Sequence, residues 1–98
     1  MKHETIRACS IWRALEIVGD VPVLLIMERA FLGTNTFEAF VHETGVPRSV
    51  VSGRLKKLVD EDCLVKKPEP KGRRRFYRLT EKGRDLFPVA LAMLGWQH

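Results

Sequence analysis

The stretch that most constrains this fold is Val46 to Leu58, VPRSVVSGRLKKL. Read as a helix, it carries one narrow apolar stripe: Val51, Leu55 and Leu58 fall at i, i+4 and i+7. Ser49, Ser52, Gly53 and Lys56 point away from that stripe, and Arg48, Arg54 and Lys57 stand at its borders. One side of such a helix needs a core to pack on. The other side is small, hydroxylic and basic, a shape and chemistry that suit a DNA major groove. By pattern alone the stretch is equally an ordinary surface helix with solvated lysines. Its neighbours in the chain have to decide.

Upstream, Ile6 to Val18 places Ala8, Ile11, Trp12, Leu15 and Val18 at helical spacing, and Gly19 ends that helix. Asp20 is the expected N-cap of a second helix, Val21 to Phe31, with Pro22 in its first turn. That helix is apolar nearly all round, which marks it as the centre of the core. Gly33 stops it. Thr36 caps a short helix, Phe37 to Glu43, whose inner face is Phe37, Phe40 and Val41. Thr44-Gly45 ends it, and Val46-Pro47 leads into the opening stretch, read as helical from Pro47 or Arg48 to about Asp62. Two helices joined by a short glycine-containing turn are a helix-turn-helix signature.

Downstream the period changes from helical to alternating. Leu64 to Lys67 and Arg74 to Leu79 are strand candidates, and Pro68, Pro70 and Gly72 break the chain between them into a hairpin tip. Tyr77 and Leu79 share one strand face; Arg74, Phe76 and Arg78 share the other. Thr80 caps a last helix with Glu81 in its first turn, and Pro88 inside that helix predicts a kink. The expected class is mainly α with a small β-hairpin (α+β): a winged helix-turn-helix with extra N- and C-terminal helices. It reads as one domain, 1–98, with the helix-turn-helix at about 36–62, the wing at about 64–79 and terminal helices at about 6–18 and 81–95.

The chain has 98 residues, room for one domain and one modest core rather than a catalytic cavity between lobes. A net charge of +5 favours anionic partners, nucleic acid first. Lys66, Lys67, Lys71, Arg73, Arg74 and Arg75 crowd the wing, with Glu69 the one acid among them. The bland reading is a solvated basic hairpin whose lysines guard an edge strand. A helix-turn-helix directly upstream favours DNA contact instead. The two cysteines, Cys9 and Cys63, form no CxxC pair and suit a reducing cytosol. Cys63 reads as core. Cys9 is either a small buried residue or a thiol activated near a helix N-terminus. His3, His42 and His98 are scattered without ligand spacing, and no phosphate loop, nucleophile elbow or paired carboxylates occur, so neither a metal nor catalysis is expected. No signal peptide or membrane span is expected either.

At this point the chain resembles the HxlR family of bacterial and archaeal winged-helix regulators, within the MarR-like group. The resemblance lies in Cys9 ahead of ALEIVGD (Ala14 to Asp20) and LLIMERAFLG (Leu24 to Gly33). It continues through Phe37, Gly45-Val46 and SVVSGRLKKL (Ser49 to Leu58) to the ending YRLTEKGRDLFPVALAMLGW (Tyr77 to Trp96). It implies a cytoplasmic, nucleoid-associated homodimer on a palindromic operator in double-stranded DNA, with no enzymatic activity, no cofactor and an effector left unnamed. The resemblance also places dimer contacts on the terminal helices, which carry Ile11, Trp12, Leu15, Phe87, Leu91, Leu94 and Trp96, and it makes Cys9 a redox-sensor candidate. The recognition helix would contribute Arg48, Ser49, Ser52, Gly53, Arg54, Lys56 and Lys57, and the wing Lys71, Arg73, Arg74 and Arg75. Ser10, Val21-Pro22 and Pro47 depart from the family's usual Pro, Lys-Trp and Ser. A protein-interaction module that uses the same fold without DNA is the alternative.

Overall fold

Asp20 and Gly33 bracket the helix on which the rest of the chain packs. The computed structural model describes residues 19–68 and 75–95. Helix α1, Val21–Phe31, begins after Asp20 in extended conformation, with Pro22 in its first turn where a missing N–H costs nothing. Val23, Leu24, Ile26 and Met27 are its buried residues. It closes in a double backbone bond: Gly33 N–H donates to the Ala30 carbonyl and Thr34 N–H to the Arg29 carbonyl. This Schellman closure requires the left-handed conformation that Gly33 adopts at φ 109°.

Helix α2, Phe37–Thr44, is capped by Thr36, whose hydroxyl accepts from Ala39 N–H at 3.2 Å. Gly45, at φ 71°, ends it. Helix α3, Arg48–Asp60, follows Pro47 and buries Val51, Leu55 and Leu58. It ends two residues earlier than its pattern suggests. Asp62 turns left-handed at φ 61°, and Cys63 N–H donates to the Leu58 carbonyl at 2.8 Å. The same closure that Gly33 provides for α1 is made here by an aspartate, so no glycine announces it.

Strand β1, Leu64–Pro68, pairs antiparallel with β2, Arg75–Leu79, in the register Leu64 with Leu79 and Lys66 with Tyr77. Pro68 is the last residue of β1, opposite Arg75, and not part of the tip as its type suggested. The free edge of β2 is tied to the turn before α2 through Tyr77 N–H and the Asn35 carbonyl at 2.8 Å. Helix α4, Glu81–Gly95, runs on through Pro88. The Phe31 and Phe87 rings stack at 4.1 Å and 3°, joining α1 to α4. Phe87, named above as a dimer contact, is buried within the single chain against Phe31. One core of Val23, Ile26, Met27, Phe40, Val51, Leu55, Leu58 and Leu64 results. Among the described residues no helix is long and apolar enough to cross a membrane.

Candidate DNA interface

Helix α3 splits cleanly into two sides. Val51, Leu55 and Leu58 are 0%, 1% and 0% exposed, while Ser49, Ser52, Gly53 and Lys56 are all exposed. A Cβ built on Gly53 would meet no atom within 4 Å, so the centre of the outer side is open and its backbone is approachable. This arrangement follows from burial of the stripe: with three side chains locked into the core, rotation about the helix axis is fixed.

The basic residues at the borders of α3 have partners within the chain. Arg48 makes a two-pronged ion pair with Glu38 of α2, both contacts at 2.7 Å, and its guanidinium lies 4.9 Å from the Phe37 ring centre. The hydrogen bond to Glu38, then its charge, raises the Arg48 pKa further above its ordinary value. Arg54 Nε donates to Asp20 Oδ2 at 2.7 Å. Asp20 thus sits at the N-cap position of α1 without bonding the helix by its side chain, contrary to its expected role. A guanidinium across the core is the stronger partner for a carboxylate. In the free protein Arg54 accordingly links α1 to α3. Lys57 is half-buried, whereas Lys56 is exposed.

The wing contributes Lys66 and Lys67, both exposed on β1. Lys66 Nζ stands 5.7 Å from the centre of the Tyr77 ring. Tyr77 is buried and meets Phe40 edge to face, at 6.1 Å and 77°. Lys66 was visible in the sequence as one of the crowded wing cations; its proximity to α3 follows only from the strand pairing. Lys71, Arg73, Arg74 and the Arg75 side chain lie outside the described residues, as do Cys9, Ile11, Trp12, Leu15, Trp96 and the Leu94 side chain. Leu91 is 50% exposed on α4.

The far end of α3 is held by the Thr80–Gly83 turn. Thr80 N–H donates to the Cys63 carbonyl at 3.0 Å, and its hydroxyl donates to the Asp62 carbonyl at 2.5 Å. Lys82 Nζ donates to the Glu61 carbonyl at 2.8 Å, satisfying a helix-end acceptor. Gly83 N–H donates to the Thr80 hydroxyl at 3.0 Å. A Cβ on Gly83 would sit 2.2 Å from the Cys63 carbonyl oxygen. The functional weight of Gly83 went unread in the sequence, although the Leu-Thr-Glu-Lys-Gly string carried it. Cys63 itself is fully buried, and burial pushes its thiol pKa up despite the nearby Lys82 charge.

The chain is similar to known proteins. Residues 17–98 match the family model described as HxlR-like helix-turn-helix. The chain belongs to that family. It is 40% identical over 88 residues to Mb3122 of Mycobacterium bovis, an uncharacterized HTH-type transcriptional regulator; the match covers 89% of this chain and 56% of that protein. The chain thus spans little more than half the length of the curated relatives it matches. The crystal structure of PA1607, described as a candidate transcription factor, superposes with a TM-score of 0.80 at 36% identity, covering 88% of this chain and 61% of that one. A MarR-family regulator from Enterococcus faecalis shares the fold at a TM-score of 0.75 and 22% identity, covering 92% of this chain and 84% of that one. The HxlR-type chain therefore carries the helix-turn-helix fold of transcription regulators.

Proposed function

We propose that this HxlR-type chain regulates transcription by binding double-stranded DNA as a homodimer, with α3 of each protomer in successive major grooves of a palindromic operator. One observation carries the reading. The three apolar residues of α3 are buried, so Ser49, Ser52 and Gly53 are presented outward with open space above Gly53. Hydroxyls and bare backbone suit base edges at close range, and the lysines on either side suit phosphates.

Arg48 has a conditional role. In the free protein its guanidinium is held by Glu38, with side-chain exposures of 60% and 71%. A pair so exposed is exchangeable, and a phosphate is a competing bidentate acceptor. The wing residues Lys71, Arg73, Arg74 and Arg75 are assigned to backbone contacts by their charge. Dimerisation is assigned to the terminal helices, and Leu91 is exposed on α4 to join it. A nucleoid location follows from DNA binding. Thiol sensing through Cys9 is a separate part of the proposal: Cys9→Ser should abolish any response of DNA binding to diamide, and a retained response would remove it.

Selection of bound duplexes from a random pool tests the main reading. Enriched sequences with two-fold symmetry and half-sites about 10 base pairs apart are expected. Enrichment of nothing, together with no mobility shift of random duplex at low salt, would favour a protein-interaction module instead.

A further inference from the structure

The outward side of α3 is not one surface. At 100° per residue, Ser49 and Gly53 lie directly opposite the buried stripe. Ser52, Lys56 and Val59, at i, i+4 and i+7, form a neighbouring line that turns toward the wing, with Lys56 about 20° round the helix from Ser49. With Lys66 and Tyr77 that line encloses a recess of about 310 Å³ between α3 and the root of the hairpin.

The chemistry of the recess is one-sided. It holds two lysines and a serine hydroxyl, and no carboxylate lines it among the described residues. Its floor is rigid, because Tyr77 is fixed by Phe40 and by its backbone bond to Asn35. The face of that ring attracts the Lys66 ammonium, at 5.7 Å, and so limits the freedom a flexible lysine would otherwise lose on binding. An anion is the ligand that fits. The recess opens beside the α3 face assigned to the major groove, and the anions that flank a major groove are backbone phosphates.

We propose that this recess seats a DNA backbone phosphate, with Lys56 and Lys66 supplying the charge and Ser52 a hydroxyl donor. The inference rests on the DNA-binding reading above and refines it. Lys56 and Ser52 become positioning groups, and sequence choice narrows to the line through Ser49 and Gly53. Lys66 joins the interface from the root of the wing, independently of the basic tip.

The test uses Lys56→Met, Lys66→Met and the double variant, since methionine keeps the apolar stem and removes the charge. Affinity is measured against increasing NaCl for a selected duplex and for a random duplex. With one such phosphate per protomer of the dimer, the double variant should reduce the salt slope by about 1.8 on both duplexes and each single variant by part of that, with the ratio of the two affinities unchanged. Both lysines are exposed, so thermal melts should match wild type. Unchanged slopes would overturn the proposal. So would a collapse of the affinity ratio in Lys56→Met at constant slope, which would make Lys56 a base reader. Wild-type protein that binds neither duplex at low salt would overturn the DNA-binding reading itself, visibly and before any variant is compared.

Discussion

The two ends of α3 are held by opposite kinds of contact. At its start, Arg48 reaches Glu38 through long, solvated side chains, and Pro47 offers no side-chain cap. At its finish, the backbone of Glu61, Asp62 and Cys63 is gripped by Lys82, Thr80 and the close approach of Gly83. Side-chain ion pairs in water exchange readily and contribute little to stability. Backbone contacts without room for a methyl group do not exchange. Helix α3 is therefore anchored from its C-terminal end, through the first turn of α4. Its N-terminal end is left free to trade partners.

The largest effect expected from this asymmetry is at Gly83. Gly83→Ala sets a methyl group against the Cys63 carbonyl, so α4 or the α3–β1 turn must move, at a cost of about 3 kcal/mol. A denaturant midpoint close to wild type would show that the C-terminal anchor is soft and no firmer than the Arg48–Glu38 end. Thr80→Ala removes the cap of α4 and one bond to Asp62, a loss of about 1 kcal/mol that urea titration would resolve. The pH dependence of stability offers a third check. Burial raises the Cys63 pKa, so the unfolded chain ionises this thiol first and binds fewer protons. Stability should therefore fall as pH rises from the ordinary thiol pKa toward the raised one, and Cys63→Ala should flatten that fall. Native Cys63 should also resist iodoacetamide at neutral pH. The smallest effect on stability belongs to the other end. Glu38→Ala should leave the melting temperature unmoved yet tighten binding to random duplex, because Arg48 is released toward phosphate. Weaker binding would mean that Glu38 orients Arg48 for DNA and does not compete with it.

Much of the fold was legible from local signals. Thr36, Gly33, Gly45 and Thr80 each perform the cap or stop their residue types announced, since those bonds close within a few residues. The buried stripe of α3 and the pairing of Leu64–Pro68 with Arg75–Leu79 follow the apolar periods. The end of α3 was misplaced because a left-handed aspartate is uncommon and carries no glycine signal. The stack of Phe31 on Phe87 was not legible, because the periodicity of α4 cannot say which apolar residue meets Phe31.

What the chain alone determined, then, is where the described helices start, where α1 and α2 stop, and which residues of α3 face the core, all effects of neighbours a few positions apart. The candidate site was legible to the same depth: the outward residues of α3 and the surplus of positive charge in the wing. Only the tertiary structure decided which of the described cations stand beside an acid. Arg54 is matched with Asp20 across 34 residues and Arg48 with Glu38 across 10, while Lys56 and Lys66 meet around Tyr77 without an acid between them. Charge and periodicity are properties of single residues and their neighbours, whereas the partner of a charge is a property of packing. That is why the sequence could name the basic face but not its vacant seats.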